Sequence, residues 1–387
     1  MFDLYSGNTP SRLNKEHFKG TVNWISSGEL KEHYIYSSKE QISEEAAKSL
    51  KLLPVGTFVI AIYGLEADGV RGTGSITQEP STISQACMSF IPKGVIENEF
   101  LYSWYKKHGN VIGIRYAQGT KQQNLSYDIL EKFRIAYPNT KEQEKLNKFI
   151  SLLDERIATQ NKIIEDLKKL KSAIIEKVFC SPNQKNPMCR IEGFEQALST
   201  YKMSDFSSRI ATKNKDSKCS LVLTIAAQYG LVNQESFFNK SVASENLTGY
   251  YLLHKGEFAY NRSYSAGYDW GAVKRLDNYD EGVLSTLYIC FKINETIVDS
   301  DYLTYYFEST KWHRGLSDIA GEGARNHGLL NVSITDYFNT KHRFPVIEEQ
   351  KAIAKMLNTI TEKERKATLL GECYQKQKQY LLRQMFI

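Results

Sequence analysis

Apolar residues recur every third or fourth position in two long stretches of this chain, and fall in short continuous runs elsewhere. In the first stretch Leu146, Ile150, Leu153, Ile157, Ile164, Leu167, Ile174 and Val178 keep a period of about 3.5 residues, interrupted on the seam by Gln160 and Lys171. The pattern predicts a coiled-coil helix from about Lys141 to Phe179, roughly 58 Å long at about 1.5 Å per residue. Thr140 and Gln143 satisfy the capping-box spacing, while Glu142, Glu144 and Lys177 suit the helix dipole. The second stretch, about Glu348 to Phe386, places Ile353, Leu357, Ile360, Ala367, Tyr374, Leu381 and Met385 on its seam. Glu364 and Gly371 also fall there and no Ser or Thr caps its start, so this helix is expected to need a partner helix.

The remaining chain reads as two mixed domains. Thr57–Tyr63 and Ala86–Ile91 are strand candidates bounded by proline and glycine, and Phe100 to Lys107 reads as a short helix with aromatics on one face. Residues 201–344 repeat the plan. Gly256-Glu257-Phe258 answers Gly56-Thr57-Phe58, Leu287–Phe291 answers the run ending at Phe90, and Tyr302–Phe307 answers Phe100-Leu101-Tyr102. The junctions repeat as well: Pro138 with Glu142-Gln143 and Pro345 with Glu349-Gln350 are 207 residues apart (345 − 138). That offset runs without a gap to Phe179 and Phe386. Two copies over this length predict two similar halves rather than a short-period solenoid. The expected organisation is a domain over 1–140, a central helix over 141–180, a linker over 181–200 marked by Pro182 and Pro187, a second domain over 201–347 and a C-terminal helix over 348–387.

Charge and composition change this picture little. The formal charge of +6 is compatible with nucleic acid without establishing it, and the 24 tyrosines suit both base stacking and strands. No apolar run approaches the roughly 18 residues that span a bilayer and no signal peptide opens the chain, so the expected location is the cytoplasm. The six cysteines are scattered, without metal-ligand spacing, and read as reduced thiols. No P-loop, H-E-x-x-H or G-x-S-x-G is present, nor the Asn/Asp-Pro-Pro-aromatic tetrapeptide of amino-methyltransferases. The expectation is a chain with no catalytic site, no metal and no cofactor of its own.

Two glycine-led polar segments stand at the same place in each half. The first carries Gly119, Thr120, Lys121, Gln122, Gln123 and Asn124, and the second carries Arg325, Asn326 and His327 after Gly323. Gln and Asn can pair bidentately with adenine, Arg and Lys with guanine, and backbone amides after a glycine can hold phosphate. The alternative is a polar turn whose Leu and Ser begin the next helix. A further loop, with Arg262, Tyr264, Tyr268, Trp270 and Lys274, alternates basic and aromatic residues, and its first-half counterpart carries Arg71. It suits a groove or simply its own stability.

With Gly119–Leu125, Tyr137-Pro138 through Gln143, the helix ending Ala173–Phe179, and Trp24–Leu30 after Gly7–Ser11 in hand, the chain resembles the specificity subunit of type I restriction–modification systems. The resemblance implies an α+β fold with a pseudo-two-fold internal repeat: two target-recognition domains joined by two long antiparallel coiled-coil helices. It further implies that each domain reads one half of a bipartite site on double-stranded DNA. The helices would set the spacing and dock two methyltransferase subunits, and motor-endonuclease subunits would join them. S-adenosylmethionine, ATP and Mg2+ would act through those subunits, none through this chain. One departure is that the second half opens with a lead-in, Pro187–Phe194 and on to Met203-Ser204-Asp205-Phe206, whereas the first begins at Met1-Phe2-Asp3-Leu4. This predicts a trimmed first domain or a different start. The competing readings are a coiled-coil scaffold without nucleic acid and a self-sufficient nuclease or methyltransferase.

Overall fold

Phe58 and Phe258 sit at the centres of two sheets built to one plan. Near Phe58, β1 (Phe2–Ser6), β2 (Phe58–Ala61), β3 (Gly74–Thr77) and β4 (Cys87–Pro92) form antiparallel pairs in the order β1-β4-β2-β3, with Phe58 opposite Phe90. The short strand Tyr34–Ile35 extends β3 in parallel. Near Phe258, β5 (Ser207–Arg209), β6 (Phe258–Asn261), β7 (Ala272–Arg275) and β8 (Ile289–Ile293) repeat the order as β5-β8-β6-β7, with Phe258 opposite Phe291. The two cross-strand ring pairs are 5.6 and 5.3 Å apart. Gly56 and Gly256 lead into these strands at φ of 82° and 88°, a conformation glycine adopts without steric cost.

The computed structural model describes residues 1–67, 69–240, 246–263, 267–319, 330 and 332–386. It divides into two units, Met1–Asn161 with Leu369–Ile387, and Lys162–Thr368. In the second unit the sheet is covered on both faces. Phe258, Tyr260 and Phe291 enter one core while Ala259, Ala272 and Cys290 enter another, as the two-residue alternation of a strand requires. Burial on both faces is why such strands read as unbroken apolar runs.

Helix α1 (Asn98–Tyr116) is more than twice as long as the expected segment ending at Lys107. Gly109 and Gly113 do not end it, because each accommodates a neighbouring chain segment rather than a turn. The corresponding helix of the second unit, α3 (Ser300–Tyr306), is short.

The two periodic stretches form α2 (Thr140–Val178) and α4 (Ile347–Met385), each of 39 residues. Within the first unit, Ile150 and Phe386 are buried in the core, with Leu146, Leu153, Leu382 and Met385 packed against it. Asp154 pairs with Lys378, and the Arg156 guanidinium lies 4.6 Å from the centre of the Tyr374 ring. Rising numbers in α2 meet falling numbers in α4, so the segments are antiparallel. Within the second unit, Ile175, Val178 and Phe179 share a core with Ile353, Ala354 and Leu357. Lys171 and Glu364, each a polar interruption of its own apolar seam, lie 2.9 Å apart there and answer one another.

The helix starts depart from the expected capping box. Asn139, not Thr140, caps α2, its Oδ1 accepting from the Glu142 amide at 3.1 Å. Gln143 is fully buried, and its side chain bridges outward instead of folding back. Its Nε2 donates to the Val95 and Pro138 carbonyls at 3.0 and 2.9 Å, and its Oε1 accepts from the Glu97 amide at 2.9 Å. Gln350 repeats all three bonds, to the Ile297 and Pro345 carbonyls and from the Asp299 amide. A buried amide has to pair its donors and acceptor, and the repeated Pro and Gln supply that clamp. Glu349 beside it is also buried and receives two bonds from Arg190 in the lead-in, at 3.0 and 2.5 Å. Its counterpart Glu142 is exposed.

Candidate nucleic-acid interface

In the first unit the polar segment after α1 is a closed loop. Gln118 and Asn124 exchange backbone hydrogen bonds of 2.9 Å in both directions, which pins the ends of residues 119–123. Gly119 has φ +109°, and a Cβ there would stand 2.0 Å from the Gln122 carbonyl oxygen, so only glycine fits. Leu125, fully buried, anchors the loop's exit, with its amide donating to the Ile62 carbonyl at 2.8 Å. Ser126 then precedes the short helix Tyr127–Glu131.

The loop leans on residues 65–72. The Gln123 amide donates to Glu66 Oε2 at 2.8 Å, its carbonyl accepts from Leu65 at 3.1 Å, and its Oε1 accepts from Arg71 Nη2 at 2.8 Å. The Gln123 amide, more than the nearby Arg71 charge, holds the Glu66 carboxyl below the usual carboxylate range. Arg71 and Gly72 in turn press into α1. A Cβ on Gly113 would meet Arg71 Cγ at 2.6 Å, and a Cβ on Gly72 would meet the Asn110 nitrogen at 2.6 Å. The Gly109-x-x-x-Gly113 face of α1 is therefore the bed on which Arg71 is set. Thr120, Lys121 and Gln122 are exposed at the tip, whereas Gln123 and Asn124 are half-buried in the frame.

Asn124 Oδ1 and Arg71 Nε are buried without a hydrogen-bond partner among the described residues. Such atoms cost stability unless something pairs with them, and a loop that meets a polar ligand is one place where that cost is offset.

In the second unit Arg262 is a clamp. Its Nη1 donates to the Val332 carbonyl at 3.0 Å, while Nε and Nη2 donate to the Leu287 carbonyl at 3.3 and 3.1 Å. The Trp270 ring packs against the main core, and its carbonyl accepts from the Tyr260 hydroxyl at 2.9 Å. Tyr268 packs against the second core of that unit. Burial, reinforced by Lys171, lowers the Lys274 ammonium below the usual lysine range, against the pull of Glu308. Tyr264, Arg325, Asn326 and His327 lie outside the described residues. Ser333 caps the helix Ile334–Asn339, its Oγ accepting from the Asp336 amide at 3.0 Å.

The structure thus brings Arg71 together with Thr120–Asn124 in one loop cluster, and separates Arg262 and Trp270 into supporting roles. Glu66, Gln118, Gly109 and Gly113 complete the first cluster and were missed in the sequence. Two glycines four apart inside an apolar helical stretch were the signal that could have found the bed for Arg71. Among the described residues no cluster of three or more His, Cys, Asp or Glu is placed to hold a metal, and no helix is long and apolar enough to cross a membrane.

Residues 1–169 match the family model described as the type I restriction modification DNA specificity domain. The chain is 29% identical over 183 residues to the type I restriction enzyme MjaIX specificity subunit of Methanocaldococcus jannaschii, covering 46% of this chain and 41% of that protein. It is 31% identical over 168 residues to the EcoR124I/EcoR124II specificity subunit of Escherichia coli, covering 42% and 40%. The matched stretch therefore spans about two fifths of each of these relatives. Among solved structures, the S subunit from M. genitalium covers 100% of this chain and 94% of its own, with a TM-score of 0.53 at 16% identity. A chain from a structure on complex assembly and conformational transition of the type I R-M system covers 99% and 96%, with a TM-score of 0.57 at 13% identity. Through residues 1–169 the chain belongs to the type I restriction modification DNA specificity domain family, and over its full length it shares the fold of a solved type I S subunit.

Proposed function

We propose that this chain is the DNA sequence-recognition subunit of a type I restriction–modification complex, with no active site of its own. In this reading the domain of each unit reads one half of a bipartite site on double-stranded DNA. Helices α2 and α4 set the spacing and dock two methyltransferase subunits, and motor-endonuclease subunits complete the assembly in the cytoplasm. S-adenosylmethionine, ATP and Mg2+ are used by those other subunits.

The observation that carries the reading is a specificity-domain sequence over residues 1–169 followed by a second unit with the same four-strand sheet order and the same buried-glutamine clamp. A duplicated reader with divergent loops suits a target made of two different halves. In the first unit Thr120, Lys121 and Gln122 are the side chains offered to DNA, on a frame made by Gln123, Asn124 and Arg71. Lys121 suits phosphate, while Gln122 carries the donor and acceptor pair that reads adenine. In the second unit Arg325, Asn326, His327 and Tyr264 are the proposed contacts, on loops that Arg262, Tyr268, Trp270 and Lys274 support.

The test is to co-express the chain with its methyltransferase subunit and map methylated adenines, then exchange residues 201–344 for those of another specificity subunit. One half of the methylated motif should change and the other should not. A motif that stays the same, or changes in both halves, rejects the assignment. A self-sufficient enzyme would instead methylate or cleave DNA as the purified chain alone.

A further inference from the structure

The lead-in to the second unit's sheet is docked along its whole length. Ser199–Lys202 pairs antiparallel with Lys341–Phe344, and Met203–Phe206 then makes one helical turn. Met203 and Phe206 are fully buried, the Met203 amide donates to the Thr340 carbonyl at 2.9 Å, and the Phe206 ring lies 5.2 Å from Phe344.

Strand register locates the same place in the first unit. Arg209 lies opposite Phe291 and Leu4 opposite Phe90, and each of those phenylalanines faces the central Phe258 or Phe58. Leu4 thus answers Arg209, and Met1 stands where Phe206 does. By the offset of the helices, 134–137 answers 341–344. Phe133, Ile135 and Tyr137 turn inward and Arg134 and Ala136 outward, the alternation of a strand. Yet no backbone hydrogen bond reaches 134–137 among the described residues. Beside this edge lies a cavity of about 580 Å³ walled by Phe2, Leu4, Phe90, Trp104, Leu130 and Ile135. Tyr105 also lines it, and its buried hydroxyl has no partner. Met1 is 64% exposed where Phe206 is 0%.

We propose that this groove docks a peptide segment of another polypeptide, extended for four residues along 134–137 and then turning once. The turn carries large apolar side chains at its first and fourth positions, which enter the cavity as Met203 and Phe206 fill the equivalent space. An unpaired edge supplies main-chain hydrogen bonds to an added strand, and the pocket at its end selects the side chains. Residues 199–206 are the template for that partner's chemistry. The inference rests on the internal repeat and stands whether or not the chain reads DNA.

The experiment titrates the full chain with a fluorescein-labelled peptide of the sequence 196–206, with a photo-crosslinking side chain in place of Tyr201. Saturable binding is expected, with crosslinks to residues 1–4 and 133–137. A peptide with both apolar positions changed (M203A, F206A) should bind at least tenfold more weakly. Ile135→Asp in the chain should weaken binding and Ile135→Val should retain it, so a folding defect in the first variant does not decide the matter. No binding, crosslinks confined to 341–344, or equal affinity for the altered peptide overturns the proposal. So does a small apolar dye that saturates the cavity while the peptide fails to displace it.

Discussion

The Phe386 ring lies 5.2 Å from that of Phe100, buried in the core of the first unit. Phe179, its partner in the repeat, lies 5.0 Å from Tyr302 in the core of the second. Each long helix therefore ends by inserting a phenylalanine into a sheet-bearing core, and Lys107 Nζ holds the Phe386 end by donating to the Arg383 and Phe386 carbonyls. Truncation of such a ring leaves a cavity that costs about 3–5 kcal/mol. Phe386→Ala should reduce hydrogen-exchange protection in β2, and Phe179→Ala should do so in β6, each mainly within its own unit. Loss of protection spread equally over both units in either variant would count against this.

Gln143→Leu removes a fully paired buried amide and strands the Glu97 amide and the Val95 carbonyl. The expected loss is about 2–4 kcal/mol, from unsatisfied groups costing roughly 1–3 kcal/mol each. Gln143→Glu keeps the shape but faces two carbonyl oxygens, so it has to be protonated to fit. Its folded-state pKa is then raised, and its stability should be best at low pH and fall as pH rises. Urea unfolding at pH 5 and pH 8 reads the sign.

Glu349 is a buried carboxylate neutralised by Arg190. Arg190→Met leaves that charge unpaired and should cost about 3–5 kcal/mol, while a double variant with Glu349→Met should recover most of it. The measurement is a double-mutant cycle on urea midpoints. Additive losses would remove the pair from the account.

His342 is fully buried between the Tyr306 and Thr340 hydroxyls, at 3.1 and 2.8 Å, and burial lowers its pKa from 6.5 to about 3. The unfolded chain then binds a proton that the folded chain does not, below about pH 6.5. Its contribution is complete above that value and is lost as pH falls toward 3, by up to about 3 kcal/mol near pH 4. Ile135 stands at the equivalent place in the first unit and titrates nothing. His342→Gln should flatten the acid limb of the second unit, followed by hydrogen exchange in β6 and β8. An unchanged acid limb would contradict the assignment.

Lys121→Ala should weaken DNA binding of the partner-bound complex across all sequences and lower its salt slope by about 1. Gly119→Ala, which forces a Cβ onto the Gln122 carbonyl, should disturb the whole loop and relax one half of the methylated motif. Filter binding over a salt series and methylome mapping distinguish the two. A Lys121→Ala complex with an unaltered salt slope would remove that residue from the phosphate contacts.

The periodicity of apolar residues by itself determined the two long helices to within a residue or two at each end. The 207-residue offset determined that there are two like halves, because helix and strand periods are local properties written in consecutive side chains. The tertiary structure decided what local pattern cannot hold. Gln143 was spaced for a capping box, but burial sends its amide across to Val95 and Glu97, since a buried donor pairs with whatever the fold brings near. Gly109 and Gly113 looked like punctuation, yet the fold lays Arg71 over them and the helix continues. Lys171 and Glu364 each weakened a seam alone, and only the antiparallel packing shows that they pair. Of the loop residues read as contacts, Gln123 and Arg262 spend their hydrogen bonds on the loop frame, leaving Thr120, Lys121 and Gln122 outside. Side-chain type names a residue's possible partners, and three-dimensional proximity selects among them.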